Sequence, residues 1–211
     1  MGKTELNFRL NNGLFMPKVA FGVWKPNITN NTARLTTQSS NQVVSRITEQ
    51  ILENGYRHID CSQRYENLKE IGIGIRNFFT KQEKKTSNGR ITYDDIWITA
   101  KVWACHNKNV EKGLDEILDD LGVTKIDLLL LEFPCGLKNI KNEDGTTMLY
   151  PSHEGKLALE ESSSLGSSWK IMEKLYISGR VKSIGLSNVN EIQVQKILKL
   201  ASVRDKKGTN W

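Results

Sequence analysis

Two short segments place an acid, a phenol and an amine at a spacing that could transfer a proton. Asp60 and Tyr65 lie in "HIDCSQRYEN", and Lys101 lies in "IWITAKVW". A phenol, with an ordinary pKa near 10, can act as a general acid only when its phenolate is stabilised, for example by a nearby ammonium. We predict that Lys101 supplies that charge and that Asp60 holds Lys101 through an ion pair. Such a set suits the reduction of a carbonyl group, whose oxygen gains negative charge.

A second acid, Glu132, follows an apolar segment directly, at a position where burial of a carboxylate costs free energy. The segment "IDLLLLEFP" is apolar from Leu128 to Leu131 and then gives Glu132 before Phe133 and Pro134. The apolar run predicts a strand of a parallel sheet that is buried on both faces. A carboxylate at the end of such a strand must be paired, hydrogen-bonded or protonated. Glu132 is therefore a candidate functional residue.

Strand-like and helical segments alternate along the chain and predict an α/β fold. Asn12 and Gly13 indicate an N-terminal β-hairpin, and a polar loop is expected from Asn27 to Asn41. Five strand-then-helix units follow, with strands in "KVAFGVW", "YRHID", "IWITAKVW", "IDLLLLEFP" and "VKSIGLS". This alternation predicts right-handed crossovers and a parallel sheet, either open or closed into a barrel. The first strand is not followed by GxGxxG, which weakens the open dinucleotide-binding alternative.

In a barrel, the chemistry takes place where the strands end and the following loops begin. The strand ends of this sequence would gather acids, a phenol, an amine, aromatic walls and two small polar side chains at one mouth. These residues are Trp24, Asp60, Tyr65, Lys101, Trp103, Glu132, Phe133, Ser187 and Asn188.

Composition excludes several other classes of protein. The net charge is +6 and the pI is near 9.2, but the basic residues carry no nucleic-acid motif, and "KQEKKTSNGR" is expected to be a solvated loop. No apolar run approaches the roughly 18 residues of a membrane helix. The cysteines Cys61, Cys105 and Cys135 form no CxxC pair, so we expect a cytoplasmic protein. No metal site is expected.

The segments "GYRHIDCSQRYENLKEIGIGIR", "IWITAKVW", "DLLLLEFP" and "GRVKSIGLSNVNEIQV" resemble the aldo-keto reductases, from about Leu6 to Val203. The resemblance implies a (β/α)8 TIM-barrel type of fold and NADPH-dependent reduction of carbonyl substrates. It implies that Tyr65 is the general acid, tuned by Asp60 and Lys101. It further implies cofactor contacts and substrate-pocket walls. The implied cofactor contacts are Val23, Trp24, Asp60, Ser187 and Asn188, and the implied walls are Trp24, Trp103 and Phe133.

Glu132 stands where the family usually has a His. The steroid 5β-reductases resemble this sequence in having Glu there, and they reduce a carbon–carbon double bond conjugated to a ketone. One interpretation is that a protonated Glu132 donates a hydrogen bond to an enone oxygen. The alternative is drift, with the activity lost. His106, in the loop after the third strand, could replace the missing His, although a solvent-exposed loop position is the expectation.

The sequence departs from the family pattern in length. About five of eight βα units are present, whereas a barrel of this class has about 250 residues. We expect residues 1–211 to form a single, incomplete barrel domain with an atypical tail at 204–211. Such a sheet would expose an edge through which another chain could associate. Two functions stay open: a reductase, or a catalytically inactive fragment or binding protein of the same family.

Overall fold

A parallel sheet is the centre of the computed structural model, which describes residues 6–24, 37–83 and 90–203. Within these ranges the sheet has five strands, which lie side by side in the order β3 (Phe21–Gly22), β4 (His58–Asp60), β5 (Trp97–Val102), β6 (Leu128–Leu131) and β9 (Ile184–Leu186). Because every neighbouring pair is parallel, all five strands end at the same edge.

Helices connect these strands and cover one face of the sheet. They are α1 (Thr37–Glu53), α2 (Leu68–Glu83), α3 (Val110–Leu121), α4 (Leu165–Ile177) and α5 (Glu191–Leu200). The strands and helices share one hydrophobic core, in which Ile59, Ile71, Leu114 and Leu129 are fully buried. None of the helices in the described ranges has the length and apolar character needed to cross a membrane.

Helix α1 begins inside the segment that the sequence predicts to be a loop. The loop was expected to extend to Asn41, whereas the helix already begins at Thr37. Val44, Thr48 and Leu52 form the buried side of this helix. Burial of one face stabilises a helix more than the weak preference of Thr, Ser and Asn opposes it. Residues 25–36 and the tail at 204–211 lie outside the described residues.

Two small antiparallel pairs flank the main sheet. β1 (Asn7–Arg9) pairs with β2 (Phe15–Pro17), and β7 (Ser152–His153) pairs with β8 (Lys156–Leu157). The turn between β1 and β2 is attached to the main sheet, because Asn12 Nδ2 donates to Lys182 O at 2.9 Å and to Ser183 Oγ at 2.9 Å. The first pair therefore lies beneath the start of β9, at the edge opposite the strand ends.

Strand β6 is buried on one face and half-buried on the other. Leu129 and Leu131 have at most 1% of their surface exposed, while Leu128 and Leu130 are half-buried. The expectation of complete burial on both faces is therefore wrong for one of them. Leu128, on the second face, borders a cavity of about 320 Å³ whose walls include Trp169 of α4 and Ile197 of α5.

Two glycines of α2 let neighbouring elements come close. A Cβ on Gly72 would collide with the backbone carbonyl of Leu121 at the end of α3, and a Cβ on Gly74 would collide with the carbonyl of Ser45 in α1. Backbone cannot rotate away as a side chain can. Both positions therefore require glycine for packing, although alanine is the better helix former.

We predict that Gly72→Ala destabilises the protein by about 1–3 kcal/mol, because it forces α2 and α3 apart. Gly166→Ala in α4 is the matched control, since the nearest atom to its added Cβ is the flexible Leu200 Cδ1 at 3.1 Å. Urea unfolding monitored by circular dichroism gives both free energies. Equal stabilities for the two variants would contradict the close contact at Gly72.

Candidate active site

Lys101 lies at the centre of the polar cluster at the strand ends. It belongs to β5, and its side chain is only 10% exposed. Its Nζ donates to Asp60 Oδ2 at 2.5 Å and to Tyr65 OH at 2.9 Å. Asp60 ends the neighbouring strand β4, and Tyr65 ends a short 3-10 helix, Gln63–Tyr65. The structure therefore brings together the acid, the amine and the phenol that the sequence singles out.

Two opposing effects determine the charge of Lys101. Burial alone would lower the pKa of the ammonium, but the hydrogen bonds and charges of Asp60 and Tyr65 outweigh it, and the net pKa is raised. Lys101 consequently stays positively charged at neutral pH in a largely buried position. A fixed positive charge therefore lies 2.9 Å from the phenol oxygen of Tyr65.

Glu132 is 4% exposed and is held by contacts to both its backbone and its side chain. The hydroxyl of Ser62, itself fully buried, donates to Glu132 Oε2. Asn188 Nδ2 donates to the backbone oxygen of Glu132 at 2.7 Å, and the backbone nitrogen of Glu132 donates to Val102 O at 3.1 Å. The carboxyl group is thus hydrogen-bonded, as its position after an apolar strand requires.

Burial raises the pKa of the Glu132 carboxyl above its ordinary value of 4.5. The hydrogen bond from Ser62 and the charges of Lys101 and Arg64 oppose this shift, and the charge of Asp60 adds to it. The net direction is upward, so the protonated form of Glu132 persists to higher pH than that of an exposed glutamate. A protonated carboxyl is a hydrogen-bond donor, which an ionised one is not.

Two further predicted residues, Ser187 and Asn188, follow β9. Asn188 has a left-handed backbone with φ of 54°, and its Nδ2 also donates to Ser187 Oγ at 3.2 Å. With the amide nitrogen so engaged, Asn188 Oδ1 is an acceptor and the Ser187 hydroxyl is a donor. A primary carboxamide needs such a pair, one acceptor for its NH2 and one donor for its oxygen.

Val23 lies beside this cluster at the end of β3. Its backbone nitrogen donates to Asp60 O at 3.3 Å, and its backbone oxygen accepts from Asn67 Nδ2 at 2.8 Å. These contacts fix the chain that leads into Trp24, whose side chain is 57% exposed. Trp24 is the last described residue before the gap at 25–36.

Aromatic side chains form one side of the mouth. Trp103 is buried, with its ring centroid 6.1 Å from that of Phe133 and 5.5 Å from that of Tyr150. The Arg64 guanidinium lies 5.3 Å from the Trp103 ring, and its Nε donates to Tyr150 OH at 2.5 Å. Trp103 Nε1 donates to Leu149 O at 2.7 Å. The predicted walls Trp103 and Phe133 therefore adjoin one another.

The sequence does not single out three buried or partly buried side chains that support this cluster. Ser62 engages Glu132, Asn67 engages Val23, and Gln63 Oε1 accepts from the backbone nitrogen of Trp103 at 2.9 Å. All three lie in the turn after β4, where polar residues are common. Only their position next to Asp60 and Tyr65 could have drawn attention to them.

The expectation that His106 is solvent-exposed is wrong. It belongs to a 3-10 helix, Ala104–Asn109, which turns the side chain inward, and only 3% of its surface is exposed. Its Nε2 lies 3.1 Å from Glu116 Oε2, and burial lowers its pKa although Glu116 opposes that shift.

Comparison with known proteins gives a consistent result. A sequence model of the aldo/keto reductase family matches residues 18–209. The chain is 30% identical to estradiol 17 beta-dehydrogenase 5 of Mus musculus over 98% of its own length and 57% of that protein. It is 32% identical to NAD(P)H-dependent D-xylose reductase I,II of Candida tropicalis over 93% of its length and 55% of that protein.

Solved structures agree with these relatives. The aldose reductase of Schistosoma japonicum superimposes with a TM-score of 0.75 and 32% identity, over 94% of this chain and 58% of that one. The aldo-keto reductase of Bombyx mori, solved in complex with NADP, gives 0.71 and 25% identity over 94% and 55%. The chain thus spans little more than half the length of these relatives. Its parallel sheet is of the (α/β)8 barrel type that they imply.

We predict that the buried Glu132 makes stability fall as pH rises. Its raised pKa means that the native state binds more protons than the unfolded state at pH values between the ordinary 4.5 and the raised value. The free energy of unfolding therefore decreases with pH across that window and levels off above it. Glu132→Gln removes the titrating group, so the difference between wild type and variant should shift in the variant's favour as pH rises.

Denaturant unfolding at a series of pH values measures this difference. Glu161→Gln makes the same chemical change at an exposed position and should leave the pH profile unaltered. A Glu132→Gln profile parallel to that of the wild type would show that Glu132 titrates alike in the native and unfolded states.

Proposed function

The chain belongs to the aldo/keto reductase family, and on that premise we propose that it reduces a carbonyl or enone substrate with NADPH. The observation that carries the proposal is the position of Lys101 Nζ, within hydrogen-bond distance of both Asp60 and Tyr65. This places a charged amine beside a phenol at the strand ends. The family comparisons support the cofactor and the general reaction class.

Tyr65 is the proposed general acid. Its hydroxyl donates a proton to the substrate oxygen as negative charge develops there, and the adjacent Lys101 stabilises the phenolate that remains. Asp60 keeps Lys101 charged and oriented, because its carboxylate holds the ammonium at 2.5 Å. Each of the three side chains thus has a distinct part in one proton transfer.

The end of β9 is the proposed nicotinamide site. Asn188 Oδ1 would accept from the carboxamide NH2, and the Ser187 hydroxyl would donate to the carboxamide oxygen. Val23, Trp24 and Asp60 are the further proposed cofactor contacts. When bound, the nicotinamide supplies the hydride that the substrate carbon receives.

The aromatic side chains are the proposed substrate walls. Trp103 and Phe133 present adjoining rings, and Trp24 is exposed near the end of β3. Apolar walls exclude water from the mouth and so strengthen the hydrogen bonds made to a substrate oxygen. This arrangement fits a substrate with an apolar body and a single carbonyl.

Glu132 favours enones within this substrate class. Ser62 engages Oε2, so Oε1 is the oxygen that can carry a proton toward the substrate carbonyl. In an enone, the hydride adds to the β-carbon and the negative charge passes to the carbonyl oxygen. A protonated Glu132 stabilises this enolate-like oxygen by a hydrogen bond, and a raised pKa makes the protonated form available.

We predict that Tyr65→Phe lowers turnover by about 10²- to 10⁴-fold, because it removes the proton donor, while NADPH affinity changes little. Tyr93→Phe is the matched control, because Tyr93 is exposed and stacks on Phe79 in another part of the fold. Quenching of tryptophan fluorescence measures NADPH binding, and NADPH oxidation measures turnover.

The same measurements of NADPH binding and turnover distinguish the two functions that the sequence leaves open. Saturable NADPH binding at micromolar concentration, with turnover lost in Tyr65→Phe, supports a reductase. Absence of binding by the wild-type chain would favour a non-catalytic member of the family. Unchanged turnover in Tyr65→Phe would refute the proton-donor role.

We predict that Glu132→His shifts preference from enones toward aldehydes. A neutral imidazole orients and polarises a simple carbonyl but is a weaker donor to an enolate-like oxygen than a carboxylic acid. The ratio of kcat/KM for an enone to that for an aldehyde should fall by about tenfold or more, which corresponds to the loss of one strong hydrogen bond. A variant that loses aldehyde reduction altogether would count against the proposed role of Glu132.

A further inference from the structure

Arg64 lies at the mouth, and the proposed reaction gives it no part. It belongs to the 3-10 helix Gln63–Tyr65 and directly precedes the proposed general acid. Its guanidinium carbon lies 5.3 Å from the centre of the Trp103 ring and 5.9 Å from that of Tyr150, and its Nε donates to Tyr150 OH at 2.5 Å. The guanidinium is therefore held against two aromatic rings, one of which is a proposed substrate wall.

The positive charge of Arg64 acts on both groups that would contact a substrate oxygen. The hydrogen bond with Tyr150 raises the pKa of Arg64, burial opposes that shift, and the charges of Tyr150, Glu132 and Tyr65 add to it. Because such interactions weaken with distance, the guanidinium lies near the place where a substrate carbonyl would bind.

The guanidinium has no acidic partner in the parts of the chain that the structure describes. No carboxylate there lies at ion-pair distance from Arg64, and its Nη1 and Nη2 donate no hydrogen bond to a described residue. Arg180 differs, because its guanidinium pairs with Glu111 at 3.2 Å and also with Asp115. Arg64 is exposed to solvent. Among the described residues, its two terminal nitrogens are therefore available to a ligand.

A guanidinium in this position suits a carboxylate. Its nitrogens lie in one plane and can donate two parallel hydrogen bonds to the two oxygens of a carboxylate. The charges also match, because Arg64 supplies one positive charge and the neighbouring Lys101 is already paired with Asp60. A carboxylate carries one negative charge, whereas a phosphate carries nearly two. The aromatic rings beside the guanidinium exclude water on one side, which strengthens an ion pair.

We propose that Arg64 determines substrate specificity by binding a carboxylate of the substrate. The preferred substrates are then oxo acids, in which an apolar body carries both a carbonyl or enone group and a carboxylate. This inference rests on the proposed function, because it names the substrate class of the same mouth. The carbonyl oxygen faces Tyr65 and Glu132, the apolar body lies along Trp103, and the carboxylate pairs with Arg64.

Calorimetric titration of the full chain in the presence of NADP⁺ tests the proposal with two matched pairs of probes. One pair is 4-formylbenzoate and its methyl ester, and the other is the enone 4-(3-oxobut-1-enyl)benzoate and its methyl ester. Each pair keeps the apolar body and the carbonyl, and the ester removes the negative charge. We expect the acid to bind about tenfold more tightly than the ester in at least one pair, since charge-assisted hydrogen bonds are gained.

Arg64→Gln should reduce this preference to about twofold or less, because it removes the charge and keeps an amide. The ratio of the two affinities is the readout, since a change in the state of Glu132 or in the packing on Trp103 affects both members of a pair. Arg9→Gln is the matched control. Arg9 is exposed in β1, at the edge opposite the strand ends, so its substitution should leave the ratio unchanged. Circular dichroism verifies the fold of each variant.

Equal affinities of the wild-type chain for acids and esters, or binding of neither acid, would overturn the proposal. A preference that persists in Arg64→Gln, or falls as much in Arg9→Gln, would also overturn it. NADPH oxidation with the same probes tests the proposed function separately. Turnover of the esters without a preference for the acids would refute the role of Arg64 alone. A preference lost in Arg64→Gln, without turnover of any probe, would support carboxylate binding by Arg64 and refute the reductase.

Discussion

The ammonium of Lys101, held between Asp60 and Tyr65, is the interaction on which the polar edge of the sheet depends. A charged amine that is largely buried is stable only with polar partners, and here one partner ends β4 while the other lies in the short 3-10 helix that follows it. Asp60 is fixed because β4 pairs with β5, and Tyr65 is fixed because the turn after β4 folds into a short helix. The same small group of residues therefore takes part in the strand pairing, forms the turn and balances the charge of the Lys101 ammonium.

The strand-end residues could be predicted because of a simple property of parallel sheets. All strands of such a sheet end at one edge, so residues far apart in sequence, such as Asp60, Lys101 and Glu132, must lie near one another once the strands are located. The strands themselves were visible as apolar runs. The turn residues that contact the strand-end side chains are not visible in the sequence. The direction of a side chain in a turn depends on backbone angles that the sequence pattern does not reveal.

Sequence reasoning misplaces His106 and the start of α1 and misses Ser62, each for a physical reason of its own. His106 was expected in solvent because it follows a strand end in a polar segment, yet a 3-10 helix turns it into the protein. Ser62 gave no signal because a serine in a turn is ordinary, and its importance comes from the buried carboxyl of Glu132, which is distant in sequence. The polar residues before Gln42 predict a loop, whereas burial of the inner face of α1 stabilises a helix that begins at Thr37.

The contacts around Trp103 and Cys105 connect the segment at 148–150 to the end of β5. Trp103 Nε1 donates to Leu149 O, Cys105 Sγ lies 3.2 Å from Met148 O, and Arg64 holds Tyr150. Breaking any one of these contacts leaves the others in place. Release of the segment from the mouth is therefore a cooperative local unfolding event, in which neighbouring backbone amides would become exposed to solvent exchange together instead of one at a time.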